Sequence, residues 1–134
     1  MTEFLLALYS YALILSGLPP APPPELSLQP PAFFWAHACG GQHCPVIGWY
    51  PESGGNVIYV SDRLNFDNKV ADSIIVHEMV HYLQYQNHQF TDTSCAHSLT
   101  LERQAYGVQK DYLLREGVIA TGVGISIMSM HCTD

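Results

Sequence analysis

The chain has 134 residues, 48% of them hydrophobic, and a formal charge of −7. That length suits one domain, residues 1–134, able to bury roughly two thirds of its unfolded surface, which excludes a disordered chain. The five basic residues, Arg63, Lys69, Arg103, Lys110 and Arg115, are too scattered to form a phosphate-binding patch, which excludes nucleic-acid partners.

Residues 4–18 form an apolar run that is too short for a comfortable membrane span. The residues before it include Glu3 and no Lys or Arg, unlike the basic start of an export signal. Thr2 and Glu3 suit a helix start, and Gly17 and Pro19 suit its end. The expectation is a buried core helix with no stable membrane span, and an export signal or anchor is the alternative. Residues 19–31 are Pro-rich and extended, with a short strand at "ELSLQ". "AFFWAHACG" reads as one or two helical turns ending at Gly40. "PVIGWY" and "NVIYVS", separated by "PESGG", read as a hairpin.

A helix is then expected from about Asn68 to Gln86, capped by Asp67 or Asn68. Val70, Ile74, His77, His81 and Tyr85 fall on one face of it. After the polar break "NHQFTDTSC", a second helix is expected from about Ser98 to Glu116, stopping at Gly117 and lying antiparallel to the first. The tail, residues 118–134, suits a short packed turn pinned by Cys132.

"HEMVH" carries chemistry because one helical turn is 3.6 residues, so His77 and His81 project together and can share one Zn²⁺. Glu78 is rotated away from the ligand pair, where a carboxylate can take a proton from water polarised by the metal. The alternative is a helix with one core and one exposed histidine. A third ligand decides between them. The HExxHxxGxxH completion fails, because the helix has no glycine turn and His88 is one place late. Glu102, on the second helix, supplies the other completion; it shares a face with Ala105, Tyr106 and Gln109.

Four cysteines, Cys39, Cys44, Cys95 and Cys132, fit two disulfides, with three pairings possible. Free thiols are one alternative. A structural zinc held by His37, Cys39, His43 and Cys44 is another. The cysteine count leans toward an oxidising, secreted or periplasmic setting, although no export signal accompanies it.

"VHEMVHYLQ" followed by "LERQAYGVQ" resembles the gluzincin pattern, HExxH plus a glutamate on a later helix. More closely, it resembles a family of small bacterial zincin-like domains. In these an N-terminal apolar helix, a hairpin, a "VHExVHxxQ" helix and a "C…ExxAYxxQ" helix make up nearly the whole chain. The resemblance covers most of residues 1–132. It implies an α+β minimal zincin-like domain and a zinc metallopeptidase acting on a peptide or protein, with His77, His81 and Glu102 as ligands and Glu78 as general base. It also suggests that Cys95 pairs with Cys132, leaving Cys39 with Cys44. Tyr106 is a candidate for steadying the oxyanion, with His97 a second. Gln84, Gln109, Asp72 and Asp111 are candidates for orienting the ligands, the two aspartates reading better as solvated helix charges. "NVIYVS" is a candidate edge strand for an extended peptide. A metal-dependent hydrolase of a non-peptide amide or ester, or a non-catalytic zinc-binding interaction domain, would carry the same residues.

Overall fold

The computed structural model describes residues 2–119, 122 and 132. The fold is α+β. In chain order it runs α1 (Glu3–Ser16), β1 (Glu25–Gln29), α2 (Pro31–His37), β2 (Gly48–Trp49), β3 (Val57–Ser61), α3 (Lys69–Gln86) and α4 (Cys95–Arg115). The packed turn expected in the tail lies outside the described residues, apart from Cys132.

The helix ends follow from their caps. The Thr2 hydroxyl accepts from the Leu5 amide at 3.3 Å, and Gly17, in the left-handed region, closes α1. Asn68, rather than Asp67, caps α3 by accepting from the Val70 amide at 2.8 Å. Ser94 caps α4, so this helix begins at Cys95, earlier than the expected Ser98. Both serines are good caps in the sequence. The earlier one wins where the Cys95–Cys132 disulfide anchors the first turn.

α3 is the centre of the molecule. It touches α1 and α4 as well as β2 and β3, and Ile75, Val76, Met79, Val80 and Leu83 are fully buried. Each such side chain stabilises the fold by roughly 1.5–3 kcal/mol of transfer free energy. α1 adds Leu8, Tyr9 and Ala12 to this core, but Phe4, Leu6 and Ile14 are exposed, so it packs by one face rather than being the buried core helix expected. The Pro-rich segment after α1 is tied down by two tyrosine hydroxyls. Tyr9 donates to the Ala21 carbonyl, and Tyr82 donates to that of Pro22.

The sheet order is β1-β3-β2, with β1 parallel and β2 antiparallel to β3. The hairpin expectation holds for β2 and β3. The edge-strand expectation does not: "NVIYVS" is the central strand, because β1 returns beside it through α2. Alternation along β3 sends Ile58 and Val60 into the core. Tyr59 lies against Phe33 and Trp49 on the other face, with ring centroids 4.9 and 5.6 Å away. The edge strand nearer α3 is β2.

Both disulfides form, Cys39–Cys44 and Cys95–Cys132, with Cα separations of 6.4 and 5.9 Å. The Cys/His zinc alternative is thereby removed, since its thiolates are consumed and His43 stacks on Trp35. Among the described residues, no helix is long and apolar enough to cross a membrane.

Candidate metal centre

Helical repeat brings the two imidazoles together: the Nε2 atoms of His77 and His81 lie 3.2 Å apart. Glu102 arrives from α4. Ser73 pairs with Gln109 near one end of the helix pair, and Gln84 pairs with Leu101 near the other, so α3 and α4 run antiparallel. This places a Glu102 oxygen in direct contact with His81 Nε2, and the other oxygen 3.7 Å from His77 Nε2. The ligand atoms of the three residues all lie within 4.8 Å of one another, a group that could hold a metal ion.

Two buried carboxamides decide which nitrogens face this point. Gln84 Nε2 donates to the Leu101 carbonyl at 2.9 Å, and a carbonyl can only accept. Gln84 Oε1 therefore faces His81 Nδ1, at 2.8 Å, and Nδ1 must carry the proton. The second relay is longer. The Ser73 hydroxyl donates to the Val70 carbonyl at 2.6 Å, so its oxygen accepts from Gln109 Nε2 at 3.0 Å. Gln109 Oε1 then accepts from His77 Nδ1 at 3.0 Å. In the neutral rings both Nε2 lone pairs consequently converge with a carboxylate. Three acceptors facing one another at this range repel unless a cation sits among them. Without a metal a proton serves. Burial disfavours the charged His81 ring, but the Glu102 hydrogen bond and the Glu78 and Glu102 charges outweigh it and push its pKa up to about 9. Burial would raise the Glu102 carboxyl, yet the neighbouring His77 and His81 imidazoles hold it well below the usual range. The donor set and its fixed tautomers suit a metal such as zinc.

These groups lie in a cleft of about 1030 Å³. One wall is the segment Pro45–Tyr50, another is α4 with Leu101 and Tyr106, and α3 forms the floor. Of the five residues expected on one face, Val70, Ile74, His77 and His81 line it, whereas Tyr85 is not among its lining residues. Glu78 lines it too and is 6% exposed. Burial raises its carboxyl above the ordinary range; His77 and His81 oppose this and Glu102 adds to it. The Tyr106 ring meets His77 edge-on at 4.4 Å. Burial, reinforced by Glu102 and Glu78, raises its phenol and so keeps it a donor.

No family model, curated protein or solved structure matches this chain. The reading of the cleft therefore stands on its geometry.

The structure brings together His77, His81, Glu78, Glu102 and Tyr106, and places Gln84 and Gln109 behind the imidazoles. His97 is elsewhere: its Nε2 bonds the Gln89 carbonyl at 2.6 Å, closing the loop before α4. Neither aspartate reaches an imidazole. Asp111 is exposed. Asp72 is not the solvated charge expected of it; it is 2% exposed, and its Oδ1 has no hydrogen-bond partner among the described residues. Sequence reasoning missed Ser73, Gln104 and Gly48. Gln104 Oε1 accepts from Gln84 at 3.0 Å. Gly48 had a signal, since a glycine amid β-branched and aromatic residues marks a close backbone approach.

Proposed function

We propose that the chain is a zinc-dependent peptidase, with His77, His81 and Glu102 as metal ligands and Glu78 as general base. One observation carries the reading. Two imidazole Nε2 atoms and a carboxylate converge in an open cleft, their tautomers set by Gln84 and Gln109, with a buried carboxylate beside them. Zinc, when bound, supplies a Lewis-acid charge that makes water acidic near neutral pH.

The chain's own groups divide the remaining work. The raised Glu78 carboxyl suits a group that takes a proton from water and returns it to the leaving nitrogen. The Tyr106 phenol, kept protonated, suits a hydrogen-bond donor to the oxyanion. β2, an edge strand lining the cleft, suits an extended peptide laid along it as an added strand. The two disulfides suit work in an oxidising, extracellular or periplasmic setting.

The test is elemental analysis of the native protein together with cleavage of a mixed-sequence fluorogenic peptide library by the parent and by Glu78→Gln. Bound zinc, with cleavage that Glu78→Gln abolishes, is the expected result. A metal-free native protein would sink the reading.

A further inference from the structure

We propose that Gly48 is a positioning residue for Glu78: the backbone of β2 at Gly48 is the stop against which the base carboxylate rests. The inference rests on Glu78 being the base and concerns what aims it. Gly48 is not among the glycines with positive φ, so conformation does not demand glycine there. Space does. A Cβ on Gly48 would sit 2.9 Å from Glu78 Oε2, 3.3 Å from Glu78 Cγ and 2.8 Å from Ile74 Cγ2.

Several features make the carboxylate the part that yields. The strand cannot retreat, because Gly48 and Trp49 are in register with Val60 and Tyr59, and the Ser61 amide bonds the Ile47 carbonyl at 2.9 Å. The helix cannot retreat, because Ile75, Val76 and Met79 are fully buried beside Glu78. The Glu78 carboxylate is the free end of a side chain, and no hydrogen bond from a described residue holds it. Its aim is therefore set by packing against Ile74 and bare backbone. A methyl group at position 48 crowds both Ile74 Cγ2 and the Glu78 carboxylate, and the carboxylate, as the far end of a flexible side chain, moves more readily than the branched Ile74.

The test is Gly48→Ala, read in two ways. In a crystal structure of the metal-free protein, the Glu78 carboxylate is expected to be displaced, with His77, His81 and Glu102 in place. On the fluorogenic peptide library, zinc content and KM are expected to hold while kcat falls about 10- to 100-fold, as a misplacement near 1 Å costs. In the Glu78→Asp background the same substitution is expected to cost less, because a shorter side chain relieves the overlap. The pair is also read in the Ile74→Ala background, where Glu78 is the group left to move, so a folding defect of the single variant does not decide the matter. An undisplaced carboxylate overturns the proposal. So does unchanged kcat while Glu78→Gln is inactive. A fully active Glu78→Gln overturns the proposed function instead, and the displacement is still read.

Discussion

Gln84 and His81, three residues apart on α3, hold one another in a single orientation through a 2.8 Å bond from Nδ1 to the carboxamide oxygen. Gln84 has no freedom to flip, since its amide is committed to the Leu101 carbonyl. Gln109 does the same for His77 from the opposite helix. Gln84→Met and Gln109→Met are each expected to weaken zinc binding about 10- to 100-fold while the ligands remain. Competition with a chromophoric chelator measures this. Gln84→Met should also destabilise by about 1–3 kcal/mol, because it strands buried polar groups. A variant pair that binds zinc as tightly as the parent would contradict the tautomer assignment.

On the proposed function, a bound metal should stabilise the fold, because the candidate ligands come from two helices that it would tie together. Near-stoichiometric zinc, about one per chain, is expected, and His81→Ala should remove it. At a free zinc concentration about a thousandfold above Kd, the gain is roughly 4 kcal/mol. Thermal unfolding with and without chelator reads it directly.

Under the proposed function, Glu78→Gln should separate metal binding from catalysis. Zinc content should be unchanged, whereas hydrolysis should fall at least about 100-fold with loss of the base. Running the same pair on a panel of peptides, esters and non-peptide amides identifies which bond the cleft accepts.

Asp72 gives a pH signature independent of the cleft. Burial raises its carboxyl above the ordinary value; Lys69 opposes this, while Asp67 and Glu116 add to it. A raised folded-state pKa means that the folded chain holds this proton more tightly than the unfolded one. The resulting stability is complete below about pH 4, the ordinary carboxylate value, and is lost as pH rises through the folded value. Asp72→Asn is therefore expected to be more stable than the parent at neutral pH and to lose its advantage near about pH 4. Thermal midpoints at the two pH values decide the sign.

The two disulfides should differ in worth. Their sequence separations are 37 and 5 residues. Chain entropy then assigns about 4 kcal/mol to Cys95–Cys132 and about 2 kcal/mol to Cys39–Cys44. Cys132→Ser should lower the denaturation midpoint more than Cys44→Ser. It should also loosen the start of α4, and with it the helix that carries Glu102.

Much of this was legible in the sequence because it is local. The spacing of His77 and His81 fixes a shared helical face wherever the helix goes, and Thr2, Asn68 and Gly17 mark helix ends by chemistry acting within a turn. Boundaries slipped where two caps competed, as with Ser94 and Ser98. Strand order slipped because β1 inserts beside β3 by a crossover that no short-range pattern announces. Asp72 resembled a solvated helix charge because burial depends on what packs over it.

By itself, the sequence determined the two histidines, the carboxylate next to the first, and a helix to present them. Those follow from a fixed repeat of 3.6 residues per turn. Only the tertiary structure decided that Glu102 reaches both imidazoles, that Gln84 and Gln109 turn their Nε2 atoms inward, and that β2 rather than β3 borders the cleft. It also decided that Gly48 comes so near Glu78 that a Cβ there would lie 2.9 Å from its Oε2. Those relationships join residues far apart in the chain, and they exist only once burial of the shared core has set the distance and register between elements.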